Sequence, residues 1–555
     1  MANKNGSSSN RSSSNRSSSK GSRELVWQPE IDQIARRREL AHEMGGADRV
    51  QEQHDRGNLT VRERIELLTD DGSFRERGVL SGAGYYDESG ELVGFHPSGT
   101  VTGTAKIGGR PVAVSGGDFT SRPRSGSAAE RSHGGKARIH SGGDKSGHIE
   151  SLAIEMKIPM IRLIDGFGAD IRATAEMGRT YLPELFWPQR WGKLMAEVPV
   201  VSAALGSVAG LPAAEVPASH FSVMVRGSSQ VFAGGPPLVA RSMGEKLTKE
   251  ELGGYEVHAR SSGVVDNDAA DEAEAIAQIQ RFLSYLPTNV HKLPPVIDSD
   301  DPVDRRDDRL ASVVPKHRNR GYNVRRMLEM VVDLGSFFEI GRYCGRSQVT
   351  GLARIGGMPI GVLANDPMHY GGAMGAKEAR KFEKFVDLCD VFHLPIVNFA
   401  DQPGFLIGSP GEGAGTLRAG VKAAAAINDS QVPWATVVVR RLYGVAGGAH
   451  QDFSRFCFRF AWPSGEWGSL PIEGGVAAAY RREIEAAEDP IAHRTAIEER
   501  LIALRDPFAA AEAFAVEDIV DPRETRPMLA EWLETAYETE LPSQVGLRIR
   551  YGMRP

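Results

Sequence analysis

Two stretches of the chain carry nearly the same pattern of apolar and polar residues. Residues 101–114 read VTGTAKIGGRPVAV, and residues 349–362, which begin 248 positions later, read VTGLARIGGMPIGV. Each stretch predicts two β-strands joined at its Gly-Gly pair, where a hairpin turn needs the positive φ that glycine adopts without steric cost. A repeat at so long a spacing indicates that a whole domain is duplicated.

Further apolar runs recur in the same order in both halves of the chain. The pairs are 158–165 (IPMIRLID) with 394–401 (LPIVNFAD), 198–201 (VPVV) with 432–435 (VPWA), and 263–266 (GVVD) with 518–521 (DIVD). Spacings that drift by only tens of residues indicate one ancestral unit with loop insertions. The alternative is a pair of unrelated α/β domains that contain similar strands.

Helical patterns surround these strands. An amphipathic helix is predicted from Pro29 to Met44, and a second begins at Thr60, which forms a capping box with Glu63. Both precede the first hairpin and have no counterpart in the repeated unit, so we expect them to brace it. Further helices are predicted at 324–334, at 376–390 and from Pro471 onwards.

The mixture of proline and dense charge at 293–308 (LPPVIDSDDPVDRRDD) marks the best domain boundary. The sequence therefore predicts an α/β protein with two tandem domains, an N-terminal one over 23–295 and a C-terminal one over 296–555. Residues 1–22 are rich in Ser, Asn and Arg with almost nothing apolar, so this tail is expected to be disordered.

Composition narrows the possible functions. At 555 residues the chain is too long for one core, and its 41% hydrophobic and 25% charged residues are typical of a soluble globular protein. The net charge of −6 gives no whole-chain argument for nucleic acid or an anionic membrane, and no apolar run approaches the ~20 residues that span a bilayer. Cys344, Cys389 and Cys457 are too few for a disulfide framework or a four-thiolate zinc site, which favours the cytoplasm.

A Gly/Ser/basic stretch at 121–149 contains Lys136, Arg138 and Lys145. It does not match the phosphate-binding pattern GxxxxGK[ST], because Ala137 follows Lys136 and the glycine spacing before Lys145 is wrong. An ATP site is therefore not expected here. Two interpretations stay open: the basic residues hold the phosphates of a ligand such as coenzyme A, or the stretch is a solvated flexible loop.

The segments that follow the repeated strands lack the usual catalytic side chains. They read GSVAG at 206–210 and YGVAGG at 443–448, with no His/Ser/Asp set, metal-ligand cluster or close carboxylate pair. A glycine-rich turn between a buried strand and a helix exposes backbone N–H groups, which is how an oxyanion hole is made, and loss of one such donor costs ~3–4 kcal/mol. Two such turns indicate two developing oxyanions. The alternative is that these glycines only permit close helix packing.

A series of ordered motifs carries a resemblance to one family. The motifs are RGNLTVRERIELLTDDGSF at 56–74, VTGTAKIGGRPVAVSGGDFT at 101–120, SVMVRGSSQVFAGGP at 222–236, LTKEELGG at 247–254, ANDPMHYGGAMG at 364–375, DQPGFLIG at 401–408, LRAGVK at 417–422, AWPSGEWG at 461–468 and DIVDPRETR at 518–526. Over roughly residues 30–550 the chain resembles the carboxyltransferase (β) subunit of biotin-dependent acyl-CoA carboxylases, the propionyl-CoA and methylcrotonoyl-CoA carboxylase group.

The resemblance implies two crotonase-like (ClpP/crotonase) domains, with coenzyme A held mainly by the first half and biotin by the second. It implies an enzyme that moves a carboxyl group from carboxybiotin to the α-carbon of an acyl-CoA, with the freed biotin nitrogen as the base and no metal. Such proteins are homo-oligomers, commonly trimers of dimers, in which the first half of one chain faces the second half of a partner. The chain has no biotinylation sequence and no ATP-binding module, so a biotin carboxylase and a biotin carboxyl carrier (α) subunit are expected on other chains.

The resemblance also assigns site residues. The N–H groups of Gly210 and Leu211 are expected to bind the thioester enolate, and those of Gly447 and Gly448 the biotin ureido oxygen, with helix dipoles adding to both. The expected substrate-binding residues are Lys136, Arg138, Gly166, Gly168, Ala169, Gly404, Phe405, Gly444, Val445 and Ala446.

Three departures from the family pattern bear on these assignments. Leu211 stands where the family usually has glycine, and its side chain is expected to narrow the acyl pocket or shift the loop. Asp170 replaces a basic residue, and the loop from Tyr443 to His450 is longer than the family's YGGAY form, which leaves its donor pair open by one or two residues. Two alternative functions also stay open: an acyl-CoA decarboxylase of the same fold, and a non-catalytic assembly subunit paired with an active homologue.

Overall fold

The computed structural model describes residues 26–121, 136–138, 145–166, 178–180, 187–450 and 456–546, with the backbone alone at 136–138 and 187–189. The tail at 1–22, which the sequence predicts to be disordered, lies outside the described residues.

The two predicted hairpins form, and an aspartate accepts hydrogen bonds from the turn in both of them. Strands Thr100–Ile107 and Arg110–Gly117 make the first hairpin, and Gln348–Ile355 and Met358–Asn365 make the second. The Gly-Gly pairs have positive φ, 55° and 76° in the first turn and 57° and 77° in the second. Asp70 accepts hydrogen bonds from both turn N–H groups of the first hairpin (2.8 and 2.7 Å), and Asp333 does the same in the second (2.9 and 2.8 Å).

The structure corrects one expectation about the helices. Helix Val61–Leu68 starts at Thr60 with the predicted capping box, but it does have a counterpart, Val324–Val331, which Asn323 caps. Each helix leads into the aspartate that closes its hairpin turn. The sequence contains the signal, because RGNLTVRERIELLTDDGSF at 56–74 is answered by RGYNVRRMLEMVVDLGSF at 320–337. The duplicated unit therefore begins before the hairpin.

Each half is built on a sheet with the same order of directions. The first sheet orders its strands Arg75–Arg77, Thr100–Ile107, Arg110–Gly117, Met160–Ile164, Val200–Ala204, Phe221–Val225 and Asn267–Ala269. The second orders Phe338–Ile340, Gln348–Ile355, Met358–Asn365, Ile396–Gln402, Trp434–Tyr443, Cys457–Ala461 and Asp518–Ile519, with Glu466–Gly468 also paired to Trp434–Tyr443. In both sheets the first two pairings are antiparallel and the rest are parallel. This shared topology confirms the α/β fold with an internal duplication.

The remaining elements flank these sheets. The other strands are Gly82–Tyr86, Leu92–Pro97, Lys136–Arg138, Ser207–Ala209 and Gln230–Phe232. The α-helices are Gln28–His42, Ala47–Asp55, Val61–Leu68, Lys145–Met156, Trp187–Glu197, Leu211–Glu215, Pro236–Met243, Lys249–Gly253, Tyr255–Val257, Glu272–Tyr285, Leu310–Val313, Val324–Val331, Ala376–Val391, Ser409–Gly413, Thr416–Asp429, Gly444–Gly448, Ile472–Ala479, Arg481–Ala486, Pro490–Ile502, Pro507–Glu512, Thr525–Thr535 and Leu541–Gln544. Short 3₁₀ or π turns occur at Tyr370–Gly372, Pro522–Glu524, His258–Ser262 and Ala536–Glu540.

The two halves share a continuous apolar core. Phe221 in the first sheet stacks on Phe282 (4.9 Å between ring centroids) and meets Phe338 of the second half edge-on (5.5 Å). The proposed boundary segment packs against the second half, since Ile297 donates its N–H to Gly357 and Arg305 donates to the carbonyl of Val332. The division into 23–295 and 296–555 stays a prediction.

Candidate active site

In the first half, a strand, a glycine turn and a helix follow one another as the sequence predicts. After Val200–Ala204 the chain forms the short strand Ser207–Ala209, turns at Gly210 with φ 74°, and enters helix Leu211–Glu215. The N–H of Gly210 donates to the carbonyl of Phe232 at 3.3 Å. The N–H of Leu211 opens the helix and has no acceptor in the described part of the chain. Leu211 N–H is therefore the free donor of this turn.

Gly166 lies beside this turn. It follows strand Met160–Ile164 with φ 131°, and its carbonyl accepts a hydrogen bond from Ala209 N–H at 3.2 Å. The structure thus brings together Gly166 and Gly210, which are 44 positions apart in the sequence. The carboxyl ends of two neighbouring parallel strands meet here, which is where ligands bind in open α/β sheets.

A buried ion cluster fixes these strand ends. Arg64 donates to Asp165 (2.9 Å), to the carbonyl of Leu205 (3.0 Å) and to Glu272 (2.6 Å), and all three charged side chains are buried. Burial raises the pKa of the Glu272 carboxyl above its usual value. A Cβ on Gly206 would lie 2.1 Å from Asp165 Oδ1. Close packing against Asp165 therefore requires glycine at 206.

In the second half, strand Trp434–Tyr443 runs directly into helix Gly444–Gly448. The N–H groups of Gly444, Val445 and Ala446 occupy its first turn, where an α-helix offers them no internal acceptor. Gly447 and Gly448 lie in its last turn, and a Cβ on Gly447 would come within 2.8 Å of the Leu442 carbonyl carbon. The free donors of this helix are therefore those of residues 444–446.

The approach to this helix is open. Val445 is 73% exposed, and a cavity of about 470 Å³ borders the helix along Gly444, Gly447 and Gly448. A helix N-terminus with free N–H groups and a positive dipole end can stabilise a developing negative charge. Both halves thus present the same chemistry at equivalent strand ends.

Gly404 and Asp401 repeat the arrangement of Gly166 and Asp165. Gly404 has φ 128°, close to the 131° of Gly166. Asp401 is buried and accepts hydrogen bonds from Arg441 (2.7 Å) and Arg440 (2.8 Å). Burial alone would raise the pKa of Asp401, but the two guanidinium groups hold that pKa below its usual value. In each half, a buried aspartate that is paired with arginine therefore lies between the glycine and the start of its strand, Met160–Ile164 in the first half and Ile396–Gln402 in the second.

A family model described as the carboxyl transferase domain matches residues 52–546. The chain belongs to this carboxyl transferase family. It is 33% identical to the propionyl-CoA carboxylase carboxyltransferase subunit of Haloferax mediterranei over 90% of this chain and 95% of that one. It is 32% identical to the mitochondrial propionyl-CoA carboxylase beta chain of Homo sapiens (89% and 88% covered) and to the methylmalonyl-CoA decarboxylase subunit alpha of Veillonella parvula (88% and 93% covered).

A solved structure shares the fold of this carboxyl transferase chain. Transcarboxylase 12S, a hexamer determined with methylmalonyl-coenzyme A bound, matches with a TM-score of 0.79 at 30% identity, over 93% of this chain and 96% of that one. The predicted family and its crotonase-like fold are thereby confirmed.

Several predicted site residues of this carboxyl transferase lie wholly or partly outside the described residues. Gly168, Ala169 and Asp170 lie outside the described residues. Lys136 and Arg138 belong to a strand that pairs with Gly82–Tyr86, and their side chains are not described. The basic stretch does not remain a loop to its end, because helix Lys145–Met156 starts within it, and Lys145 donates to the carbonyl of Thr100 at 2.8 Å.

Phe405 has a packing role in this family member. A Cβ on Gly420 would lie 2.4 Å from the Phe405 ring. The ring therefore supports helix Thr416–Asp429, and the absence of a side chain at 420 allows this close approach.

The sequence did not indicate a basic cavity of about 780 Å³ between the halves. Its lining includes six cationic side chains and the carboxylates of Asp266 and Glu383; the cations are Lys377, Arg380, Lys381, Lys384, Arg418 and Lys422. Burial lowers the pKa of Lys381 to about 8. In the first half this cavity borders His220 and Asp266, which precede their strands, whereas Gly166 and Gly210 follow theirs. It is therefore distinct from the glycine turns of that half.

Two features are absent from the described residues. No helix in that part of the chain is long and apolar enough to cross a membrane. Within the same ranges, no three His, Cys, Asp or Glu side chains come together in a way that would hold a metal ion.

Proposed function

We propose that this chain transfers a carboxyl group from carboxybiotin, carried on a partner protein, to the α-carbon of an acyl-CoA. The observation that carries the proposal is the pair of equivalent sites at which a strand leads into a helix with free N–H groups, at Gly210–Leu211 and at Gly444–Ala446, in a member of the carboxyl transferase family. Relatives named for propionyl-CoA and methylmalonyl-CoA support an acyl-CoA substrate.

The first half is assigned to the thioester. Leu211 N–H, with Gly210 and Gly166 beside it, would stabilise the negative charge that the thioester oxygen gains when the α-proton leaves. Gly168 and Ala169, from the same turn as Gly166, are proposed to complete this site, and Lys136 and Arg138 to pair with coenzyme A phosphates.

The second half is assigned to biotin. Its first-turn N–H groups would stabilise negative charge on the ureido oxygen, with Gly404 and Phe405 shaping the opposite wall. The first-turn position favours Val445 and Ala446 as donors over Gly447 and Gly448, because the latter two donate within their own helix. When bound, carboxybiotin supplies the carboxyl group and, after CO₂ leaves, the nitrogen that takes the α-proton. The protein then needs to bind and orient two partners and to exclude water.

The proposal includes the assembly. Biotin carboxylase and biotin carboxyl carrier functions would come from other chains. Transcarboxylase 12S is a hexamer, and a homo-oligomer built as a trimer of dimers would place the first half of one chain against the second half of its partner. A cytoplasmic location stays a prediction that rests on the low cysteine content.

One relative favours a second function. The Veillonella parvula relative is a methylmalonyl-CoA decarboxylase subunit, and decarboxylation would use the same two donor sites in the reverse direction. The direction of net transfer therefore depends on the partner chains as well as on this one.

Label exchange by the purified chain tests the proposal. Malonyl-CoA, methylmalonyl-CoA and longer carboxyacyl-CoAs, each labelled in the carboxyl group, are incubated with and without free biotin. Biotin-dependent loss of label is expected, and its rate ranks the acyl groups. Loss without biotin would favour the decarboxylase. A folded, oligomeric chain that releases label from no substrate would support an assembly role and contradict the proposal.

A further inference from the structure

A buried polar cluster lies behind helix Gly444–Gly448. His450, Asn398 and Gln402 are each 0% exposed, and the Phe382 ring meets the His450 ring edge-on at 5.5 Å. His450 Nδ1 faces the Asn398 side chain, and His450 Nε2 lies 3.4 Å from Gln402 Nε2. Buried polar side chains at this depth are costly unless they are paired, so their arrangement restricts how the surrounding loops can move.

In this cluster, the donor or acceptor role of one atom determines the role of the next. Gly404 N–H can only donate, so the atom of Gln402 that faces it at 3.1 Å must be Oε1. Gln402 Nε2 then donates to His450 Nε2, which leaves Nδ1 as the protonated ring nitrogen. Asn398 Oδ1 lies 3.2 Å from Nδ1 and Asn398 Nδ2 lies 2.9 Å from it, so this tautomer requires the Asn398 amide to turn its oxygen towards the ring and accept from Nδ1–H. A chain of hydrogen bonds therefore runs from the Gly404 turn through Gln402 and His450 to Asn398.

The backbone of His450 ties the same cluster to the helix. Its N–H donates to the carbonyl of Gly447 at 3.1 Å, which closes the helix end. Its carbonyl accepts hydrogen bonds from Thr436 Oγ1 (2.8 Å) and from the Trp434 indole (3.3 Å), at the start of the strand that leads into the helix. His450 thus connects the end of helix Gly444–Gly448, through Gln402, with the Gly404 turn, and it does not line the cavity beside that helix.

We propose that His450 is a positioning residue that fixes the Gly404 turn relative to the first-turn donors of helix Gly444–Gly448. The inference rests on the proposed function, in which these two elements bind biotin. It assigns a role to a buried histidine that the transfer chemistry leaves unused. Loss of the link through Nε2 releases the Gly404 turn, and a displacement of about 1 Å at such a site can cost ~10²-fold in rate.

Two amide substitutions at His450 test the roles of the two ring nitrogens separately. His450→Gln places an amide oxygen near the Nε2 position and keeps the link to Gln402, whereas His450→Asn places its amide near Nδ1 and loses that link. In the label-exchange assay, His450→Gln should raise KM for free biotin less than about threefold, and His450→Asn should raise it about tenfold or more. KM for malonyl-CoA should not change, because the acyl-CoA site lies in the other half.

Gln402→Leu tests the same link from its other side. It should raise KM for biotin as much as His450→Asn does, and the double variant should add little to either, because both break one chain of hydrogen bonds. His220 is the matched control. It is also fully buried, with its ring between Val200 N–H (2.9 Å) and the carbonyl of Met195 (3.0 Å), but it lies in the first half. His220→Asn should lower stability without changing KM for biotin.

Amide hydrogen exchange decides the inference even if the wild-type chain proves inactive. In His450→Asn, peptides covering 402–406 and 443–449 should exchange faster than in wild type, while a peptide covering 200–210 should not. Equal protection of both loops, or equal KM changes in the Gln and Asn variants, would overturn the positioning role. An inactive wild type with the expected exchange pattern would overturn the proposed function and leave the positioning role intact.

Discussion

At the scale of single residues, Leu211 joins two properties in one position. Its N–H opens the helix after Gly210, and its side chain is 45% exposed. The N–H is available from any residue except proline, whereas the side chain occupies space beside the proposed thioester site. Leu211 should therefore affect which acyl group is accepted more than how fast the acyl group reacts.

Leu211→Ala should move the acyl preference towards longer or branched chains. Removing the side chain enlarges the pocket and keeps the donor, and a change of one or two methylenes in an apolar pocket is worth roughly 10–200-fold in discrimination. The measurement is the ratio of kcat/KM for a series of carboxyacyl-CoAs. Leu504→Ala, at a leucine exposed in the second half, is the control. An unchanged ratio in the Leu211 variant would show that this side chain does not line the acyl pocket.

A substitution at Val445 tests which N–H groups serve the proposed biotin site. Val445→Pro removes one first-turn N–H, at a helix position that tolerates proline because the donor has no internal acceptor. Label exchange should fall by about 10²–10³-fold, the usual effect of losing one oxyanion donor. Val445→Ala keeps the N–H and should retain near wild-type exchange. Full activity in the proline variant would return the role to Gly447 and Gly448.

At the scale of elements, the two hairpins share the same hydrogen bonds between an aspartate and the turn but differ in how deeply the turn is buried. Asp333 is buried, closes its Gly-Gly turn and also pairs with Arg526 (2.7 Å). Asp70 closes the first turn alone, and the glycines of that turn, Gly108 and Gly109, are exposed. Water can replace Asp70 but cannot reach the second turn as easily.

Asp333→Ala should therefore cost more stability than Asp70→Ala. The first change removes the nearer of two carboxylates beside the buried Arg526 guanidinium, since Asp301 lies 3.6 Å away, and breaking a buried ion pair typically costs up to ~3–5 kcal/mol. The second change loses exposed hydrogen bonds worth about 1 kcal/mol each. Urea midpoints of the two variants, compared with wild type under the same conditions, give the ranking. A larger shift for Asp70→Ala would contradict the conclusion that burial makes the second turn the more costly one to disrupt.

The sequence predicted those elements that are determined by interactions between neighbouring residues. The Gly-Gly turns, the Thr60 capping box and the strands that lead to Asp165 and Asp401 follow from residue order alone. The equivalence of helices Val61–Leu68 and Val324–Val331 was missed, because few of their apolar residues are identical. Asp70 and Asp333 align the two helices, but their shared role shows only when the structure places them at the hairpin turns.

The donor register and the buried cluster depend on tertiary structure. Whether Gly444 or Gly447 opens a helix is decided by where strand Trp434–Tyr443 ends against its neighbours, which the run YGVAGG does not reveal. Likewise, His450 and Gln402 lie 48 positions apart and meet only because two parallel strands are adjacent. Composition gives no signal for such a pairing.

At the scale of the whole molecule, the two halves are structural copies to which the proposed function gives different roles. Each keeps a buried aspartate, a glycine turn with φ near 130° and a helix that presents free N–H groups. Within one chain, the shared core fixes how the halves pack. In the proposed assembly, a complete site takes its acyl-CoA half from one chain and its biotin half from another.

Complementation between two inactive variants tests this central claim most directly. Leu211→Pro removes the first-half donor at a helix position that favours proline, and Val445→Pro removes the second-half donor. Each variant alone should exchange almost no label, whereas chains co-expressed and purified as mixed oligomers should regain biotin-dependent exchange, because some sites then combine two intact halves. A mixed oligomer that stays inactive beside an active wild type would contradict a site shared between the halves of different chains.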